Sequence, residues 1–228
     1  MLLSAPAILR HMKAGTIVID GFDKKNLGNA SYDLTLGEHY YREQTPMNGD
    51  AVFNIYNEAD TARVWGKKHL TAQALSAEEL ARVGEGVKKT DKIIWLAPGE
   101  TVLAHTEEFA GGQGTVDTML KARSSTARNF ISVCKCAGWG DVGYINRWTM
   151  QITNNSRHWH IPLVAGRRIA QIVFFEVEPL EEKGDAGAYA KKADSKYQAA
   201  GTLKKIKKDW KPSDMLPKMW KDRDALMK

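Results

Sequence analysis

Cysteine is nearly absent from this chain of 228 residues: Cys134 and Cys136 are the only two. A pair so close in sequence cannot staple distant segments, which excludes a disulfide-framed secreted scaffold. The Cys-x-Cys spacing puts both on one face of an extended segment, and no further ligands follow at matching spacing. They read as small, buried, reduced thiols and not as part of a zinc site. No run of about 18 apolar residues occurs, so no helical membrane span is expected. The opening Met1-Leu-Leu-Ser-Ala-Pro6 lacks a basic stretch leading into an apolar core, so no signal peptide is read there and the expected compartment is cytoplasmic. No internal repeat is apparent, which sets aside solenoid architectures. What the chain does have is a globular balance, 43% hydrophobic and 26% charged, on a length that suits one domain with an appended tail.

Acidic groups are in the minority, 27 against 33 Lys and Arg, for a net charge of +6. The excess is uneven. Residues 203–228 hold eight Lys and one Arg against four Asp, or +5. A basic tail of this kind can hold phosphate or nucleic acid. No stacking aromatic array or nucleic-acid motif accompanies it, so nucleic acid is not the expected partner. The tail reads as solvated and partly helical, with Trp210, Met219 and Trp220 favouring docking over disorder.

Residues 5–14 predict a short helix capped by Ser4 and stopped by Gly15. Thr16 to Ile19 reads as a brief strand, and Ser31 to Gly37 as a strand ending in a turn. Residues 42–70 are polar and irregular. Ser76 to Val83 carries a capping box and predicts a helix. From Lys92 onward β signals dominate: 93–96, 101–104, 116–120, 131–134, 148–153 and 168–177. Turn punctuation separates them at Pro98-Gly99, Gly111-Gly112, Gly138 to Gly143, Asn154-Asn155 and Ala165-Gly166. Many short strands so divided predict a mainly β sandwich or jelly-roll-like barrel. Asp185 to Gly201 is small, polar and Lys-rich, and reads as flexible.

Three blocks carry candidate chemistry. In Arg123-Ser-Ser-Thr-Ala-Arg128, guanidinium forks flank two hydroxyls, a set suited to phosphate or a carbonyl but equally to a solvated helix start. Gly138-Trp-Gly-Asp-Val-Gly-Tyr144 is a glycine-rich turn that lets backbone approach a ligand, with Asp141 able to bind a sugar hydroxyl or orient water; it is also compatible with a plain β-turn. Gly166-Arg-Arg-Ile-Ala-Gln-Ile-Val-Phe174 runs from a turn into an apolar strand, where Gln171 needs partners.

In this order and spacing the blocks resemble the motifs of the trimeric dUTPase and dCTP deaminase superfamily. Ala14-Gly-Thr-Ile-Val-Ile-Asp-Gly-Phe-Asp23 with Asn29-Ala-Ser-Tyr-Asp-Leu-Thr-Leu-Gly37, and Asp194-Ser-Lys-Tyr-Gln198 with Gly201-Thr202, narrow the likeness to the dCTP deaminase branch. The domain is taken as 1–202, with an insert-like stretch at 42–92 and the tail at 203–228 outside the likeness. The resemblance implies a distorted jelly roll, the dUTPase-like β-clip, in a homotrimer with active sites between subunits. It implies a hydrolase that turns dCTP and water into dUTP and ammonia in nucleotide metabolism, with dTTP a candidate inhibitor. No zinc is implied: His105-Thr-Glu107 mimics the His-x-Glu of zinc deaminases, but no Pro-Cys-x-x-Cys follows, and His105 reads as a surface or strand residue. The implied metal is magnesium, held mainly by the substrate's triphosphate. By matching position, Ser124 and Arg128 would line the cytosine site and place the attacking water. Arg123 and Ser125 would serve the phosphates. Asp141 would meet the 3′-hydroxyl, Tyr144 would pack beneath the sugar, and Gln171 would touch phosphate. Lys196, Tyr197 and Gln198 would close over the triphosphate as a lid.

One position departs from the branch where it matters most. A glutamate stands there seven residues after the aromatic of the second block; here that residue is Gln151. The glutamate moves a proton from water to the cytosine amine, which a neutral amide cannot do. Three explanations stand: a Glu-to-Gln change that traps substrate, a relative that cleaves dUTP or dCTP to pyrophosphate through Asp141, or a catalytically silent nucleotide binder. Asn146 also replaces a frequent glycine and predicts an unusual turn at 145–147.

Overall fold

The computed structural model describes residues 1–47, 49, 51–179, 189, 195–198 and 202–226. Helix α1 (Ala5–Ala14), strand β1 (Ile17–Ile19) and the long strand β2 (Tyr32–Arg42) come first. Next are α2 (Glu58–Trp65), the short strands β3 (Leu70–Thr71) and β4 (Gln73–Ala74), and α3 (Ala77–Val83). Then follow β5 (Lys92–Leu96), β6 (Thr101–Gly112), β7 (Val116–Ala122), α4 (Ser124–Arg128), β8 (Ile131–Ser132), β9 (Trp139–Gly140), β10 (Ile145–Asn154), β11 (Ile161–Val164) and β12 (Arg168–Glu176). The tail holds α5 (Leu203–Asp209), two single 3-10 turns and α6 (Arg223–Leu226). No helix among the described residues is long and apolar enough to cross a membrane.

The result is the mainly β architecture with a few short helices that the pattern predicts. Nine strands form one antiparallel sheet along the path β8-β10-β6-β2-β12-β7-β9, with β1 added to β6 and β3 to β2. β11, β5 and β4 form a second, three-stranded sheet. The alternation of β2 and β10 sends Tyr32, Leu34, Leu36, Met150 and Ile152 into one core with Ile94, Leu96, Val102, Ile172 and Phe174. β6 is buried along almost its whole length, because β2 and β10 pair with its two edges and other elements cover its faces. α3 has the predicted reciprocal cap between Ser76 and Glu79. α1 ends at Gly15 in the left-handed region, as predicted, but the Ser4 hydroxyl makes no capping bond.

Several expectations are corrected. β2 does not end at Gly37; it runs on to Arg42 with a register shift between Leu36 and Tyr40. A Cβ at Gly37 would lie 2.0 Å from the Cε1 of His105, so glycine here makes room for a ring rather than a turn. His105 itself is a strand residue but wholly buried, not on the surface. The supposedly irregular 42–70 stretch contains α2, with Asn57 capping it through bonds from Ala59 and Asp60. Gly111, Gly112 and Asn154 fall inside strands, and β11 went unpredicted. The two cysteines are not alike: Cys134 is buried, while Cys136 is exposed and follows Lys135 in a positive-φ turn. Asn146 lies in β10 and not in a turn. The Asp185–Gly201 segment lies largely outside the described residues, including Asp194 and Gly201.

The tail docks. Trp210 packs against His105 with the rings tilted and their centroids 4.8 Å apart, and it lies under the Arg147 guanidinium at 4.6 Å. Met215 is buried with Tyr41 and Leu103 in a satellite cluster that also takes in Trp65 and Leu216.

Candidate active site

β10 carries Gln151 to the wall of a cavity of about 440 Å³. Asp141 and Tyr144 reach the same cavity from the glycine-rich turn between β9 and β10, and Tyr197 reaches it from the C-terminal side. The turn sits where it does because Gly140 has no side chain: a Cβ would come within 2.3 Å of the Trp148 ring and 2.5 Å of the Thr118 hydroxyl. Gly143 then takes a positive φ of 91° and swings Tyr144 into β10. Tyr144 packs edge-on against Trp148 at 5.2 Å and Tyr189 at 5.1 Å. Burial pushes its hydroxyl far above the usual tyrosine range.

Among the described residues, six aromatic side chains border the cavity, and Asp141 is the one charged lining group. Trp139 donates to Asp141 Oδ1 at 3.1 Å, and Trp148 donates to the Ala110 carbonyl at 2.9 Å. Two buried polar atoms of the lining have no hydrogen-bond partner among the described residues: Gln151 Oε1 and Trp65 Nε1. An aromatic cleft with one carboxylate and an unpaired acceptor is chemically suited to a flat, polar-edged ring attached to a sugar.

The closing segment is held by the protein itself. Gln198 accepts from Ile145 N at 2.8 Å and donates to Gly143 O at 2.9 Å, which ties it to the turn below Tyr144. Asn146 Nδ2 donates to Tyr197 O at 3.1 Å. The unusual residue at 146 therefore latches the segment. From the tail, Lys218 N donates to Tyr197 OH at 3.2 Å, and Lys218 Nζ donates to Lys196 O at 3.1 Å. Lys196 forms an ion pair with Asp222. The side chains of Lys196, Tyr197 and Gln198, expected to close over a triphosphate, are thus engaged with neighbouring protein groups.

The remaining predicted residues lie elsewhere in the same chain. Arg123 and Arg168 both hold Asp33, at 3.1 and 3.0 Å, and Gln171 Nε2 donates to Ser31 Oγ at 3.1 Å. Arg123 and Arg168 line a second cavity of about 780 Å³, joined by Lys25, Arg147, Arg167 and Lys207. Four carboxylates face the same space, among them Glu108, which accepts from Thr35 N and Oγ1 at 3.0 Å each. Desolvation raises the Glu108 pKa. Ser124, Ser125 and Arg128 sit on α4, exposed and apart from both cavities.

His105 has a packing role. Its Nδ1 donates to Thr106 O at 2.8 Å, and its Nε2 accepts from His39 N at 3.3 Å. Burial lowers its pKa to about 4. Among the described residues, no group of three or more His, Cys, Asp or Glu is placed to hold a metal ion.

Residues the sequence did not single out complete the first cavity: Trp65 from α2, Trp148, and Met215 and Pro217 from the tail. Trp148 stands within a strand already recognised. Trp65 and Met215 had no sequence signal, because both lie outside the motif blocks, one in a polar stretch and one in the basic tail.

Curled antiparallel strands around a glycine-turn cavity define a chain of the dUTPase and dCTP deaminase type. The chain belongs to the dCTP deaminase-like family, which it matches over residues 2–177. It is 28% identical over 198 residues to a dUMP-forming dCTP deaminase of Methanosphaerula palustris, covering 87% of this chain and 90% of that protein. It is 30% identical over 198 residues to the dUMP-forming dCTP deaminase of Methanoregula boonei, covering 84% and 89%. The crystal structure of 2′-deoxycytidine 5′-triphosphate deaminase from Agrobacterium tumefaciens shares the fold, with a TM-score of 0.52 at 18% identity over 76% of this chain and 48% of that one. The chain thus spans about half the length of that protein.

Proposed function

We propose that this chain is a dCTP-binding hydrolase scaffold of the dUMP-forming deaminase kind, working as a homotrimer, with its deamination step throttled at Gln151. One observation carries this: Gln151, Asp141 and Tyr144, three positions expected to face one nucleotide, line a single aromatic cavity. The relatives' names favour dUMP as the end product in place of the dUTP expected from the sequence. Pyrophosphate is then released as well as ammonia.

The trimer reading is supported by where the other residues lie. Exposed α4 presents Ser124, Ser125 and Arg128 away from the chain's own aromatic cavity, next to Phe130, which is 54% exposed. A neighbouring copy's cavity is the natural destination for that set. Arg123 and Gln171 would follow it toward the phosphates. Within the cavity, Gln151 Oε1 can accept from the cytosine amine, and Asp141 can accept from the sugar hydroxyl or hold a water. Lys196 would reach phosphate by exchanging Asp222 for it.

Magnesium would ride on the triphosphate oxygens, the hard ligands it prefers, and neutralise their charge. The amide at Gln151 favours slow or absent ammonia release over a fully competent deaminase. Product analysis by chromatography of dCTP and dUTP incubations with magnesium tests the assignment. Bound dCTP with trace ammonia agrees with it. Rapid pyrophosphate release without ammonia moves the chain to a diphosphatase, and absence of binding to either nucleotide ends the proposal.

A further inference from the structure

The aromatic cavity is completed by two segments that lie outside the motif blocks of the turn and strand. α2 supplies Trp65, and the tail supplies Met215 and Pro217. Trp65 packs against the Tyr41, Leu103 and Met215 cluster, which ties the insert and the tail into one wall. The indole N–H of Trp65 is buried and makes no hydrogen bond among the described residues. A buried donor without an acceptor is disfavoured, and such groups usually have a partner; an orphan at a cavity wall signals a missing one. Gln151 Oε1, on the same cavity, is an orphan acceptor. Among the described residues no Lys or Arg lines this space, while six aromatic side chains do, which favours the base over the phosphates of a nucleotide.

We propose that Trp65 is a specificity-determining residue whose indole N–H donates to a ring-edge acceptor of the bound pyrimidine. The insert and the docked tail thereby become part of base recognition. This inference rests on the nucleotide reading above and extends it to a residue outside the three motif blocks. Trp65 and Gln151 together offer the ring one fixed donor and one fixed acceptor, and ligands whose edge cannot answer both are rejected.

Trp65→Phe deletes the N–H and keeps a ring in the wall. Binding of magnesium–dCTP and of magnesium–pyrophosphate is measured by calorimetry, alongside the melting temperature of the free protein. Affinity for dCTP should fall about three- to tenfold, the effect of one neutral hydrogen bond. Pyrophosphate binding should not change. The free protein should keep its melting temperature or gain a little, because an unsatisfied buried donor has been removed. A merely structural tryptophan gives the opposite signature: a lower melting temperature and unchanged dCTP affinity, which overturns the proposal. A second readout needs no substitution. On addition of dCTP, the Trp65 indole N–H resonance should move downfield and exchange more slowly; a resonance indifferent to bound dCTP also overturns the proposal. Absence of dCTP and dUTP binding by the unsubstituted chain removes both the nucleotide reading and this one, whereas binding indifferent to Trp65→Phe removes this one alone.

Discussion

Gln151→Glu exchanges one atom for another of nearly equal size, so the cavity keeps its shape while gaining a proton carrier. The oxygen concerned is buried and unpaired. A carboxylate placed there is poorly solvated, and its pKa will rise toward neutrality, the range in which a group both takes and returns a proton efficiently. General acid–base help is worth roughly 10²–10⁴ in rate, so ammonia release from dCTP should rise by that factor in the variant. The same desolvation has a cost. A carboxyl whose folded pKa lies above its unfolded value binds more protons when folded, so the variant's stability relative to the unsubstituted chain should fall as pH rises through that interval. A coupled ammonia assay at several pH values reads the gain, and thermal melts across the same pH range read the loss. If Gln151→Glu binds magnesium–dCTP as tightly as the unsubstituted chain yet frees no more ammonia, position 151 does not act on the base, and the deaminase scaffold is the wrong frame for this cavity.

Gly37→Ala should lower the melting temperature by roughly 5–10 °C, since a Cβ 2.0 Å from the His105 ring forces a shift under the docked Trp210 at a cost of about 3 kcal/mol. An unchanged melt would show that the ring is free to move. His105 is neutral when folded, with its pKa lowered to about 4 from 6.5. The unfolded chain binds that proton first, so stability of about 3 kcal/mol should be lost as pH falls from 6.5 to 4. Denaturant titrations at both ends of that range should show a shallower acid loss in His105→Gln; an equal loss assigns the effect to other groups. Met215→Ala empties the centre of the cluster joining the tail to Tyr41 and Leu103 and should cost about 2–4 kcal/mol. Denaturation midpoints unaffected by it would mean that the tail does not hold to the domain.

What could be read from the sequence and what could not separate along a physical line. Strand periodicity, the Ser76 cap and the Gly15 stop are local signals, and they held because short-range sterics and hydrogen bonds decide them. Gly37 misled because a glycine in isolation promises a turn, and only the fold shows that a histidine 68 positions away requires the missing side chain. Asn146 was noticed as odd and placed in a turn. Its function as a latch on Tyr197 depends on a chain segment some 50 residues downstream. The site behaves in the same way. Asp141, Tyr144 and Gln151 could be grouped from the sequence because eleven residues of turn and strand carry all three to one cavity. Trp65 and Met215 were not, because an indole in a polar stretch and a methionine in a basic tail acquire meaning only when packing sets them against the same wall. Asp141, Tyr144 and Gln151 come from one contiguous turn and strand, whereas α2 and the tail reach the same wall from far away in sequence. Selectivity set by Trp65 should therefore map to a residue that no reading of the motif blocks would select.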